Sequence, residues 1–192
     1  MLTLACCGAW AAPTLVSQGA FSGSTVVVDF LSFTSGTLIS NQLAIPANYG
    51  LTFSSALGGI YANSSYSGTT GVAVSATSFL GQTCPCVDET LSFSTPVTRV
   101  GFSLFGSNGG TANFIDANGI VSTAVASFPT EQFIGIEDLA GISWLTVDAP
   151  LNQAFIIDTV WLDRPIPEPG SLLLLGSGFL GLLGYGKRRL GL

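Results

Sequence analysis

The sequence predicts an all-β protein, a two-sheet antiparallel jelly-roll-like sandwich, on three observations. Short runs rich in β-branched and aromatic residues recur along the chain with period-two alternation. Clusters of Gly, Asn, Ser and Pro separate these runs and supply the turns. Between residues 13 and 163, no stretch shows the periodicity of an amphipathic helix. Short strands divided by regular turns are typical of two packed antiparallel sheets.

Ten strands are predicted from this pattern. In chain order they are Thr25–Phe33, Gly50–Ser54, Gly71–Leu80, Glu89–Ser94, Val97–Phe105, Thr111–Ile115, Ile120–Ala126, Gln132–Glu137, Gly141–Asp148 and Gln153–Asp163. The first opens on a valine run that suits a buried strand, and the third alternates apolar residues from Val72 to Ala76.

The later strands follow from alternation and from turn residues. In the fourth and fifth strands, Leu91 shares a face with Phe93, and Val100 shares one with Phe102. Between the sixth and seventh strands, the loop at residues 116–119 reads Asp-Ala-Asn-Gly. Its Asn-Gly pair predicts a type I′ hairpin, because both central residues of that turn take positive φ angles.

The chain has few charged residues, and its acidic residues outnumber its basic ones. Charged residues make up 8% of the chain, with 11 acids against 5 bases, where ~25% is usual. Three of the bases lie in the last six residues, so only Arg99 and Arg164 remain elsewhere. Nucleic-acid binding is therefore not expected, because phosphate contacts need clustered Lys and Arg. Such a domain would attract cations and repel an anionic polysaccharide unless metal ions bridge the two.

The residues of most catalytic sites are missing. Histidine is absent, which excludes Ser-His-Asp and Cys-His catalysis and imidazole metal ligation. No phosphate-binding loop, dinucleotide fingerprint or zinc-ligand cluster occurs. The carboxylate pairs Glu137-Asp138 and Asp88-Glu89 are predicted to be solvated loop residues at strand ends rather than a glycosidase pair. We therefore expect no catalytic residues and no enzyme activity.

Two cysteines, Cys84 and Cys86, flank a proline. One reading is a redox dithiol or a soft-metal clip; the other is a single structural disulfide formed during export. The structural reading is preferred, because redox motifs usually have two intervening residues in a helical context. A ring closed across one residue is strained in either case.

The sequence offers a small number of candidate residues for binding a metal ion or a sugar. Jelly-roll domains of the carbohydrate-binding kind often hold a structural Ca²⁺ near their first and last strands through hard oxygen ligands. The similarity of the predicted fold to such domains makes Asp29 on the first predicted strand and Asp158 on the last candidate Ca²⁺ ligands. The aromatic residues that would stack on a sugar if exposed are Tyr49, Tyr61, Tyr66, Trp144 and Trp161. Of these, the two tryptophans are expected in the core and Tyr61 and Tyr66 in a polar loop.

Residues 1–12 are predicted to be a signal peptide. They have an apolar core and an Ala-x-Ala end at Ala9-Trp10-Ala11, with cleavage one residue later as an alternative. The segment lacks a basic start and is shorter than the usual ~15–30 residues, so the natural start is expected upstream. The passenger domain is then residues 13–163.

The C-terminal segment has three parts. A proline-rich linker at residues 164–169 contains Pro167-Glu168-Pro169. The uncharged residues 170–186 follow, and as a helix these seventeen residues would span ~26 Å, enough for one short transmembrane helix. Lys187, Arg188 and Arg189 open a basic tail at 187–192, which predicts that this end stays in the cytoplasm and that the passenger lies outside it.

This arrangement resembles the PEP-CTERM sorting signal of exported bacterial proteins. The resemblance implies recognition by an exosortase, a membrane-embedded cysteine protease-transpeptidase that cuts near Pro-Glu-Pro. It also implies release or attachment at the surface of a Gram-negative bacterium that makes an exopolysaccharide matrix or biofilm. Residues 113–163 resemble, more loosely, the passenger domain common in such proteins.

The combined prediction is an exported, non-catalytic structural or adhesive passenger. Its partners would be the exosortase, the membrane before processing and, as a further candidate, an exopolysaccharide. The first alternative is a carbohydrate-binding module for exopolysaccharide, and the second is a carboxylate-dependent hydrolase. A permanently anchored protein that is never processed is the third.

Overall fold

The prediction of an all-β protein is confirmed. The computed structural model describes residues 12–21, 25–55, 59–63, 73–75, 88–106, 110–127, 130–148 and 155–163. Within these ranges the chain forms ten strands, and its helical content is two short 3-10 turns, Gln18–Ala20 and Pro46–Asn48. The strands are β1 Thr14–Val16, β2 Val26–Asp29, β3 Thr52–Ser55, β4 Tyr61–Asn63, β5 Ala73–Ser75, β6 Glu89–Gly106, β7 Gly110–Ile115, β8 Ile120–Val125, β9 Gln132–Asp148 and β10 Phe155–Asp163.

The strands form one antiparallel hydrogen-bonded sheet rather than the two separate sheets expected. The main path runs β4-β5-β10-β6-β9-β7-β8, with β1 on β9, β2 on β10 and β3 on β6. The two long strands, β6 and β9, take part in two groups of pairings. The β10 half contains β1, β2, β4, β5, β10 and the adjoining parts of β6 and β9. The β7 half contains β3, β7, β8 and the remaining parts of the two long strands.

The sheet is folded so that the two halves share one core. The ring of Phe102, on β6 in the β10 half, stacks on that of Phe114 in β7, with centroids 5.7 Å apart. Phe30, just after β2, meets Phe53 of β3 edge to face at 6.0 Å. All four side chains belong to one buried cluster. Burial of large apolar side chains of this kind, at roughly 1.5–3 kcal/mol each, is what stabilises the folded sheet.

Long β6 and β9 replace four of the predicted strands. The sequence suggested breaks near Pro96 and Gly141, but the chain continues through both points as an irregular extended segment. The register between β6 and β9 shifts on either side of Val97, and Gly141 takes a positive φ of 99°. A proline lacks an N–H and is accommodated at a bulge, and a glycine tolerates the bend opposite it. The turn residues therefore bend the strands without ending them.

Other elements of the structure differ from the predicted ones at their ends or turns. β2 stops at Asp29, whose Oδ1 accepts the N–H of Leu31 at 3.2 Å, so the predicted extension to Phe33 is wrong. The hairpin between β7 and β8 forms as predicted, with Ile115 paired to Ile120. The type I′ turn does not form, since among the described residues Tyr49 is the one non-glycine with positive φ. β1 and β4 were missed because three-residue strands are too short to show alternation.

Several predicted segments lie outside the described residues. They are the signal sequence up to residue 11, the cysteines Cys84 and Cys86, most of the predicted third strand, and the whole of 164–192 with its predicted transmembrane helix. Across the ranges that the structure does describe, no helix combines the length and apolarity needed to span a bilayer.

Candidate functional site

The strand that precedes the C-terminal segment is almost entirely buried. Every residue of β10 is buried except Trp161, which is partly exposed. β6 pairs along one edge of β10, and β2 and β5 pair along the other. The final residue of this strand, Asp163, directly precedes the predicted linker. The chain therefore leaves the described sheet from a central strand rather than from a loop.

A network of charged side chains lies at the end of β10. Arg99 of β6 lies between Asp163 of β10 and Glu137 of β9 in the strand register. Its Nε donates to Glu137 Oε1 at 2.6 Å, and its Nη1 lies 3.6 Å from Asp163 Oδ2. The hydroxyl of Thr25 donates to the other oxygen of Asp163 at 2.5 Å. Arg99 is the one Lys or Arg within the described ranges, so the network joins three strands through a single cation.

A second group of carboxylates lies at the β7–β8 hairpin. Asp116 Oδ1 accepts the N–H of Asn118 at 2.8 Å and that of Gly119 at 3.0 Å. Asp138 of β9 accepts the side-chain amide of Asn118 on Oδ2 at 2.5 Å and the N–H of Ala140 on Oδ1 at 2.8 Å. Burial raises the pKa of Asp116, and the two backbone N–H bonds oppose that shift. The charge of Asp138 and a side-chain hydrogen bond with its carboxyl raise the pKa further.

These positions correct the prediction of solvated loop carboxylates. Glu137 and Asp138 lie inside β9, and Glu89 opens β6 as a buried residue. Of the four, Asp88 alone is exposed. Sequence reasoning placed the first pair at a strand end because it did not foresee that β9 runs on to Asp148. A signal for Asp116 was present, since Asp at the start of a turn commonly accepts backbone N–H groups two or three residues on.

The structure does not bring the predicted Ca²⁺ ligands into a metal cluster. β2 pairs with β10 so that Asp29 faces Thr159, next to Asp158. Asp29 is exposed, whereas Asp158 is 1% exposed and accepts the hydroxyl of Thr159 at 3.2 Å. Among the described residues no group of three or more acidic, histidine or cysteine side chains is placed to hold a metal ion.

The aromatic candidates are also rearranged. Tyr49 is buried, and Tyr61 is partly exposed on β4. Trp161, expected in the core, is partly exposed and packs edge to face on Phe133 at 5.2 Å. Trp144, expected in the core, is 36% exposed instead. Tyr66 and the sorting residues Pro167, Glu168, Pro169, Lys187, Arg188 and Arg189 lie outside the described residues.

A surface pocket of about 330 Å³ lies apart from these groups. The described residues that line it are Leu38, Ser40, Asn41 and Gln42. None of the four carries a carboxylate, an amine or a thiol, so these residues offer no general acid or base beside the Ser40 hydroxyl.

A family model for the PEP-CTERM protein-sorting motif matches residues 165–189. The chain carries a PEP-CTERM signal. The match begins two residues after β10 ends at Asp163. A PEP-CTERM signal marks an exported protein that is sorted through the membrane by exosortase, and the suspected resemblance is confirmed over this segment.

The remaining comparisons add little about the folded domain. Among curated proteins, none matches this chain. A solved structure titled "BiXyn10A CBM1 APO" aligns with 72% of this chain and 96% of its own, at 12% identity and a TM-score of 0.39. A likeness of this size carries no argument about the activity of the PEP-CTERM protein.

Proposed function

We propose that residues 13–163 are a non-catalytic structural or adhesive passenger that exosortase delivers to the cell surface or to the extracellular polysaccharide matrix of a Gram-negative bacterium. One observation carries the proposal: the PEP-CTERM signal follows directly on the buried strand β10. Three residues separate Asp163 from Pro167, so their Cα atoms lie at most about 14 Å apart even when this stretch is fully extended. The folded body therefore lies close to the Pro-Glu-Pro segment when the protease acts.

Each part of the chain has a role in this proposal. Residues 1–12 direct export, and residues 170–186 hold the chain in the bilayer as one helix. The basic residues from Lys187 to Arg189 keep the tail on the cytoplasmic side. Pro167, Glu168 and Pro169 present an extended segment to the protease, because prolines disfavour helix on both sides of the glutamate.

Intact-mass measurement of the protein recovered from its host tests the sorting step. We expect a mass that lacks the signal peptide and the residues after the Pro-Glu-Pro segment. The triple variant P167A/E168A/P169A should retain the C-terminal mass and stay in the membrane fraction. The variant D88N, which alters one exposed acid before β6, is the matched control and should be processed normally. Recovery of the full-length mass from wild-type protein outside the cell would refute the proposal.

The absence of catalysis is part of the proposal. It is supported by the lack of histidine in the chain and by the engagement of several carboxylates in the sheet, where Glu137 binds Arg99 and Asp138 accepts two hydrogen bonds. A polysaccharide hydrolysis assay with the exported protein tests this directly. Turnover that one Asp or Glu substitution abolishes would favour the hydrolase instead.

One surface favours carbohydrate binding as the second candidate function. In the β7 half, Leu91, Leu145 and Val147 point into the core, so the alternate residues of β6 and β9 point outward. Trp144 lies on this outer face opposite Ser92. The rest of the face is rich in hydroxyl and amide groups, including the Thr90–Thr146 pair at 2.8 Å and the Asn113–Asp148 bond at 2.9 Å.

An exposed indole beside hydroxyl groups suits a sugar ring, because its apolar face can stack while polar neighbours bond to the sugar hydroxyls. A pull-down with exopolysaccharide from the host tests this candidate. Binding should fall at least about tenfold in W144A, which corresponds to about 1.4 kcal/mol. It should be unchanged in L139A, which removes an exposed apolar side chain. Equal binding by all three proteins would exclude this face.

A further inference from the structure

Two buried carboxylates from different segments face each other at the β7–β8 hairpin. Asp116 starts the loop after β7 and is 5% exposed, and Asp138 lies near the bend of β9 and is 2% exposed. Each acts electrostatically on the other, since the charge of Asp138 is one of the causes that raise the pKa of Asp116. Two like charges removed from water repel strongly unless something between them compensates.

The hydrogen bonds leave one oxygen of this pair unsatisfied. Asp116 Oδ1 accepts two backbone N–H groups, and both oxygens of Asp138 accept one donor each. Asp116 Oδ2 is buried and accepts no hydrogen bond from a backbone or amide donor, and its neighbour is the Asp138 carboxyl, whose side-chain interaction also raises the pKa of Asp116. A buried acceptor of this kind is rare and needs an explanation, because a charged oxygen left unpaired away from water is strongly destabilising.

No residue that the structure describes supplies a positive charge here. The donors to the pair are backbone N–H groups and the amide of Asn118, all of them neutral. Arg99, the single Lys or Arg of the described ranges, is bound to Glu137 and lies against Asp163. The compensating positive charge therefore comes from solution, either as a proton that the two carboxyls share or as a bound metal ion.

We propose that a divalent cation of the Ca²⁺ type binds between Asp116 and Asp138, with Asp116 Oδ2 and the Asp138 carboxylate as its protein ligands. The donors are all oxygens, which are the ligands of Ca²⁺ and Mg²⁺ rather than of soft metals. Water completes the coordination shell. This site is distinct from Asp29 and Asp158, and it does not depend on the sorting proposal.

Binding at this site joins two parts of the fold. Asp116 belongs to the hairpin at the sheet edge, while Asp138 lies in the segment of β9 that passes from the β10 half to the β7 half. The cation replaces repulsion by attraction and holds the hairpin against β9. At affinities of about 10⁻⁴–10⁻³ M, usual for extracellular modules, such a site fills outside the cell and stays empty in the cytosol.

Thermal unfolding of the full-length chain in mild detergent tests the proposal. After removal of metal with EDTA, Ca²⁺ added about 100-fold above its dissociation constant should raise the Tm by about 5–10 °C. Isothermal titration should give one site. Substitution D116N or D138N should abolish both signals, while near-ultraviolet circular dichroism confirms that each variant is folded.

D116N is expected to fold, because its side-chain oxygen still accepts the two loop N–H groups. D29N is the matched control, since it neutralises an exposed acid predicted from the sequence to be a ligand, and it should keep the full response to Ca²⁺. The proposal is overturned if neither Ca²⁺ nor Mg²⁺ changes the Tm, which would mean that the two carboxylates share a proton. It is also overturned if D116N and D138N respond like wild type, or if the response is lost in D29N or D158N.

Discussion

Replacing Arg99 with methionine should destabilise the domain more than any other single charge removal in the described sheet. Methionine keeps most of the unbranched side chain and removes the guanidinium. Asp163, whose side chain is 3% exposed, would lose the cation 3.6 Å away, and Glu137 would lose its bond from Nε. Removing one partner of a buried pair costs about 3–5 kcal/mol, because the other charge stays buried without compensation.

The lower end of that range applies to Arg99, for two reasons. The hydroxyl of Thr25 continues to bind Asp163, and the Glu137 pair is more exposed, so its loss adds at most about 1 kcal/mol. We therefore expect a loss of about 3 kcal/mol. For a domain of this size that corresponds to a decrease in Tm of about 6–12 °C.

Urea denaturation and thermal melting of the full-length chain in detergent measure this loss. The double variant R99M/D163N is the informative control, since it removes both members of the pair and should recover at least half of the stability lost in R99M. R99K, which keeps the charge but not the planar group, should fall between wild type and R99M. A loss below about 1 kcal/mol in R99M, or no recovery in the double variant, would show that the three strands are held without this cation.

Two further substitutions test the fold itself. Phe114→Ala removes a fully buried ring that stacks on Phe102. It should lower the free energy of unfolding, measured by urea titration, by about 3–5 kcal/mol, and Phe114→Leu should lower it less. A loss below about 1 kcal/mol in Phe114→Ala would mean that the two halves do not pack on each other. Gly50→Ala places a methyl group 2.7 Å from Ser94 Cβ at a φ of 64° and should lower the Tm by several degrees, because both the backbone and the contact are strained. Its control is Gly19→Ala, where the nearest atom would be Ser17 Oγ at 3.8 Å, and equal melting of the two variants would contradict the strain argument.

The sequence by itself determined the all-β class and the C-terminal signal. Both are local patterns: alternation shows within a few residues of a strand, and the Pro-Glu-Pro segment, the apolar run and the basic cluster are contiguous between residues 165 and 189. The hairpin at residues 116–119 was local in the same sense and formed where expected. The predicted type of turn did not form. Asp116 accepts the N–H groups of Asn118 and Gly119, and Asn118 does not take the positive φ that a type I′ turn needs.

Only the tertiary structure decided whether the strands form one sheet or two, and which acidic residues are buried. Pro96 and Gly141 read locally as breaks, yet pairing across β6 and β9 keeps both segments in one sheet. Asp138 and Glu137 are neighbours in sequence, but one packs against the hairpin and the other binds Arg99. Alternation along a strand sends successive side chains to opposite faces; what lies on each face depends on which distant strands pair there, and no short stretch of sequence contains that information.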